Sequence, residues 1–119
     1  MSPASRESGV RDLRRNAPVF AALGDATRLK LLTKLSRGSR ISIARLTQSS
    51  SLTRQAITKH LRVLQDAGLV RGARLGRETL FELEPEPIDD ARRALDGISR
   101  QWDQALARLK SFVEGRGQG

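Results

Sequence analysis

One stretch of this chain, "LTRQAITKHLRVLQDAGLV" (residues 52–70), carries side chains able to read base edges and hold phosphates. Gln55, Thr58, Lys59 and Arg62 recur at i, i+3, i+4 and i+7, and Arg54 stands just before them. On a helix these residues share one face. A glutamine amide can pair with adenine, an arginine fork with guanine, and a threonine with a base edge or a thymine methyl. Lys59 and Arg62 suit phosphates, which position a protein without reading sequence. On the other side Ile57, Leu61 and Leu64, spaced by four and three, form an apolar face. Downstream, Arg71, Arg74 and Arg77 follow beside one acid, Glu78. Arginines so grouped on a hairpin can enter a minor groove, where the negative potential favours them. The competing use of both groups is plain solvation: a polar helix surface, and charges that keep an edge strand from pairing.

The same stretch holds the only histidine, His60. Tight binding of zinc and its neighbours needs nitrogen or sulfur donors, usually three or four in all. The chain has no cysteine and no second histidine. The C-terminal acids Asp89, Asp90, Asp96, Asp103 and Glu114 offer oxygen alone, and arginines nearby make ion pairs the expected use. No metal and no cofactor is expected. General acid–base or nucleophilic catalysis needs a partner group in a pocket, and the chain has neither a glycine-rich phosphate loop nor G-x-S-x-G. An enzyme is not expected. His60, beside Leu61 on the margin of the apolar face, reads as a packed or hydrogen-bonded core residue.

The whole chain has 119 residues and a formal net charge of +9, with 38% hydrophobic and 3% aromatic residues. One domain with a core of Leu, Ile, Val and Ala follows, and such a core favours helices. Between Ala26 and Leu80 twelve Arg/Lys face two acids, whereas from Glu84 to Glu114 seven acids face five bases. That asymmetry points to a polyanion-binding middle joined to a segment with another task. No apolar run approaches the roughly 20 residues that span a bilayer. The N-terminus lacks the apolar centre of a secretory signal, so the expected location is cytoplasmic, with no membrane partner.

Positioning these side chains requires a particular order of elements. Residues 1–12 are expected to be a disordered tail, and 13–114 one domain. "RRNAPVFAAL" begins a short helix with Val19, Phe20 and Leu23 on its apolar side, stopped by Gly24. Asp25 caps a second helix, in which Leu29, Leu32 and Leu35 recur at helical spacing, ending at Gly38. Ile41 is expected as an extended link, and Ser42 as the cap of a short third helix. After the serine run 49–51, Thr53 caps the fourth helix, which runs to Ala67 and stops at Gly68. Alternation on either side of "LGRE" predicts two strands turning at Gly76. "PEP" (85–87) is expected to separate the hairpin from a last helix over about 88–114, roughly 40 Å long. Ala91, Leu95, Ile98, Trp102, Ala105, Leu109 and Phe112 form a heptad seam along it, and residues 115–119 are expected to be a disordered tail.

The expected fold is therefore mainly α with a small β-hairpin, a helix-turn-helix plus wing. Seven seam residues exceed what one small domain can cover. Part of the seam should pack within its own subunit, and a second copy should cover the rest, giving a twofold dimer. Phe20, Leu95, Ile98, Trp102, Leu109 and Phe112 are the expected interface, with Val19 and Leu23 beside them.

"FAALGDATRLKLLTKLSRG", "LTRQAITKHLRVLQDAGLV" and "RGARLGRETLFELEPEP" together resemble the ArsR/SmtB-like winged-helix transcriptional regulators, over about residues 15–113. The resemblance implies a dimer that represses transcription at an inverted-repeat operator in double-stranded DNA, joined through its first and last helices. It also implies a structural or phosphate-contacting place for His60. Many relatives carry an acidic residue before the leucine of the third helix, where this chain has Arg45 and Leu46. A non-specific or architectural DNA binder using the same basic surface is the alternative. No residue identifies a small-molecule effector.

Overall fold

The computed structural model describes residues 11–117, with side chains through 115. Residues 11–15 are already helical, and Asn16 joins them to α1 (Ala17–Leu23), which carries Pro18 near its start. Arg11 and Asp12 are thus part of a helix; the rest of the expected N-terminal tail lies outside the described residues. The chain continues through α2 (Ala26–Leu35), β1 (Ile41–Ser42), α3 (Ile43–Gln48), α4 (Arg54–Asp66), β2 (Val70–Leu75), β3 (Glu78–Leu83) and α5 (Pro85–Gly117).

Each central helix starts on a side-chain cap. Asp25 accepts from the Arg28 amide, Ser42 from Arg45, and Thr53 from Ala56. These bonds occupy donors that no helical carbonyl can reach. Helix α4 ends where the Gly68 amide donates to Gln65 and the Leu69 amide to Leu64. That double bond pattern needs a left-handed residue, and Gly68 supplies it at φ 78°. Leu69 is thereby turned into the core against Leu64, both fully buried.

The core joins Val19 and Ala22 of α1, three leucines of α2, Leu46 of α3, the inner face of α4, and Leu69, Val70, Phe81 and Ala91. Ile57, Leu61 and Leu64 are all buried, as their spacing required. In α2 the buried face is Leu31, Leu32 and Leu35, while Leu29 stands 47% exposed on the far side. The i, i+3, i+6 row drifts around a helix by about 60° at each step, so Leu31 replaces Leu29 on the buried face.

Ile41 is more than a link. It pairs with Phe81, and Ser42 with Leu80, making an antiparallel three-stranded sheet in the order β1-β3-β2. The hairpin itself runs from Val70 opposite Leu83 to Leu75 opposite Glu78, turning at Gly76.

Helix α5 begins earlier and ends later than its sequence suggested. Pro85 sits in the first turn, where proline needs no amide partner, so "PEP" opens the helix instead of separating it. Residues 115–117 continue it, and only 118–119 of the expected tail fall outside the described residues. At its start α5 is tied to the domain by Asp90, which accepts from Arg15 at 3.1 Å. The buried Asn16 amide beside it, then Arg15 and Arg93, hold the Asp90 carboxyl below its ordinary value. Beyond this base the seam leaves its own subunit. Ala91 is buried and Ile98 half-buried, whereas Leu95, Trp102, Leu106, Leu109, Phe112 and Val113 are exposed.

Candidate nucleic-acid interface

Helix α4 is packed on its inner face and open on its outer one. Arg54, Gln55, Lys59 and Arg62 are exposed and Thr58 is half-buried beside them. Arg54, Gln55, Thr58 and Lys59 line one shallow depression, and Arg62 lies a turn farther along the same side. The Thr58 hydroxyl donates to the Arg54 carbonyl at 2.8 Å. Its proton is spent within the helix, so Thr58 can meet a base only as an acceptor or through its methyl group.

The basic middle is smaller than its charge implies, because the fold itself engages four of its cations. Arg28 donates from Nε to the Ala22 carbonyl at 2.7 Å and from its fork to Ala21, capping the end of α1. Lys34 donates to the Ser49 carbonyl and hydroxyl, tying α2 to the turn after α3. Arg40 and Arg71 flank Glu82 from β1's side and from β2. Lys30, Arg37, Arg45, Arg54, Lys59, Arg62, Arg74 and Arg77 make no ion pair or side-chain hydrogen bond among the described residues. They are the cations left for a polyanion.

The three wing arginines therefore separate into two kinds. Arg74 and Arg77 sit at the open end of the hairpin, with Gly76 between them at φ 63°. Arg71 sits near its base, directly across from Glu82, and also reaches Glu84 at 3.3 Å. Hydrogen bonds from Arg71 first, then Arg40, hold the Glu82 carboxyl below its ordinary value, and Glu82 raises the Arg71 guanidinium in turn. The register sets Arg71 opposite Glu82, and Arg40, just before β1, reaches Glu82 from the other side at 3.2 Å, so the three form one row. No feature of the sequence around Arg71 announces this row, since it depends on strand order.

His60 turns toward the domain. Its Nδ1 lies 3.4 Å from the Arg28 guanidinium and 3.7 Å from the Asp25 carboxylate, with the side chain 24% exposed. Asp25 is held below the ordinary carboxyl value chiefly by the Arg28 amide, helped by the charges of Arg28 and His60. His60 thus fastens the middle of α4 to the junction of α1 and α2. Among the described residues no three of His, Cys, Asp and Glu gather as a ligand set.

Comparison with known proteins places this geometry. Residues 24–71 match a family model described as winged helix-turn-helix DNA-binding. The chain is 42% identical over 76 residues to an uncharacterized HTH-type transcriptional regulator, YuzN, of Bacillus subtilis (strain 168), covering 59% of this chain and 83% of that one. A solved ArsR-like transcriptional regulator from Rhodococcus sp. RHA1 superposes with a TM-score of 0.81 at 38% identity, over 89% of this chain and 96% of that one. The arsenical resistance operon repressor of Bacillus subtilis (strain 168) is 27% identical, over 65% of this chain and 73% of the relative. No helix of the described residues is long and apolar enough to cross a membrane. A capped recognition helix, a basic wing and these likenesses agree: the chain belongs to the ArsR-like winged helix-turn-helix family of DNA-binding transcriptional regulators.

Proposed function

We propose that this regulator acts in the cytoplasm as a homodimeric repressor that binds an inverted-repeat operator, reading bases with α4 and gripping the flanking groove with its wing. The observation that carries this reading is the outer face of α4. Gln55 and Thr58, two neutral base readers, sit among the unengaged cations Arg54, Lys59 and Arg62. A surface meant only for bulk polyanion has no need of an amide at its centre. In this reading Arg54, Gln55 and Thr58 meet base edges, Lys59 and Arg62 hold phosphates, and Arg74 and Arg77 enter the adjacent groove. Arg71 is better used as a strut that sets the wing on β3. No catalytic role is assigned.

The dimer follows from α5. Its seam, Leu95, Ile98, Trp102, Leu109 and Phe112, extends far beyond the domain, and an exposed apolar stripe of that length marks an association surface. Phe20 joins it from α1, where it is half-buried. Val19, buried in the core of its own subunit, has little surface left to add to it. Two copies about a twofold axis would set two recognition helices into successive major-groove faces, hence an inverted repeat. Repression agrees with the named role of the Bacillus arsenical resistance relative.

Selection of bound fragments from a genomic DNA library tests the proposal. The expected product is a short motif with twofold symmetry and half-sites about one helical turn apart. A pool without a shared motif would favour the alternative, a non-specific nucleic-acid binder on the same surface.

A further inference from the structure

The wing tip carries an apolar group that phosphate contacts do not explain. Among the described residues most exposed large apolar side chains lie along α5; the exceptions are Leu29, Val63 and Leu75. Leu75 is the most exposed of these, at 65%. It ends β2 at the turn, where polar residues are the rule, and faces Glu78 across the hairpin. Arg74 precedes it, and Gly76 and Arg77 follow. Both arginines are unengaged among the described residues, and a Cβ at Gly76 would meet nothing within 4 Å.

We infer that Leu75 is a DNA-contacting residue, placed in the minor groove of the operator against the apolar sugar faces and base steps, with Arg74 and Arg77 on the bordering phosphates. The inference rests on the DNA-binding reading of the wing and adds to it a contact of different chemistry. The minor groove is only about 6 Å wide, so a two-stranded hairpin can offer it little more than its tip. There the narrow turn at Gly76 leaves Leu75 as the sole large apolar side chain. Apolar side chains set between base steps favour A·T-rich, readily deformed sequence. Glu78 opposes phosphate at the same tip and trims the electrostatic attraction, which raises the weight of a contact that needs no charge.

The two kinds of contact differ in their response to salt. Phosphate contacts release counterions and steepen the fall of affinity with salt, whereas an apolar contact releases none. The test compares the full-length wild type, Leu75→Ser and Leu75→Met on a duplex carrying the selected operator and on a scrambled duplex, across a salt series. Leu75→Ser is expected to weaken operator binding about tenfold at every salt concentration, with an unchanged slope, and to leave scrambled DNA almost unaffected. Leu75→Met, which keeps an apolar group of similar volume, is expected to stay within about twofold of wild type. Thermal unfolding should not move, since Leu75 is no part of the core. Operator binding by Leu75→Ser equal to wild type, an equal loss on both duplexes, or a shallower slope would overturn the inference while leaving the wing's arginine contacts standing. A wild type that binds neither duplex would overturn the DNA reading itself.

Discussion

Arg28 and Arg62 are both arginines of the basic middle, yet they do opposite work. Arg28 is folded back on the carbonyls of Ala21 and Ala22 and beside His60; Arg62 stands free on the outer face of α4. Arg62→Ala should therefore make the salt dependence of DNA binding shallower by about 0.9 per subunit in log–log slope, with stability unchanged. Arg28→Ala should lower the thermal midpoint and leave that slope alone. Binding isotherms across a salt series, with a melting curve for each variant, check both. The division could be read only in part from sequence. The period of Ile57, Leu61 and Leu64 placed Arg62 outward, because one helix suffices for that inference. Arg28 could not be placed, because its acceptors lie across the turn at Gly24 and Asp25. His60 was legible as a packing residue from its place beside Leu61, but its partners Asp25 and Arg28, more than thirty residues away, were not.

At the level of elements the wing is held by one steric fit and one charged row. Gly72 faces the Phe81 ring so closely that a Cβ there would stand 2.9 Å from Cε1. Phe81 is buried in the core and braces the sheet against the helices. Gly72→Ala should cost about 1–3 kcal/mol by overpacking, measured by urea unfolding, and should blunt operator binding by displacing the wing. The row Arg40, Glu82, Arg71 sets a pH limit. Glu82, like Asp25 and Asp90, has a folded-state carboxyl held below its ordinary value. The unfolded chain then binds more protons in acid, so the stability these groups contribute is complete above their ordinary values of 4.5 and 3.8. It is lost as the pH falls through the depressed values. Urea midpoints should accordingly be flat from pH 6 to 8 as far as these carboxyls are concerned, and fall below about pH 4; a rise in acid would contradict the ion pairs. The hairpin was legible because six-residue strands alternate around a glycine turn. β1 was not, since two residues carry no alternation, and with β1 went the partner of Arg40. The start of α5 was misplaced because "PEP" reads as a break unless proline is allowed its first-turn position.

The whole molecule is extended, as the proposed dimer requires of its subunit. It measures 74 × 30 × 22 Å with a radius of gyration of 20.2 Å, against roughly 13–14 Å for a compact chain of this length. The excess is α5, 33 residues long and apolar on one side well past its last contact with the domain. The seam was legible from its heptad spacing, but not how little of it the subunit covers for itself. The sequence has one tryptophan and no tyrosine, so Trp102, 64% exposed in the single subunit, reports directly on association. Its emission should shift to shorter wavelength as concentration rises through the dimer range. Leu109→Glu, which would bury a charge against the partner, should give a monomer by sedimentation with red-shifted emission and much weaker operator binding.

The central claim is that α4 reads sequence, and Gln55 tests it most directly. Affinities of wild type and Gln55→Ala would be measured at one salt concentration on the selected operator and on a scrambled duplex. The account predicts a loss of about 1–3 kcal/mol per half-site on the operator and no change on scrambled DNA. Equal losses on the two duplexes, or none on the operator, would contradict it.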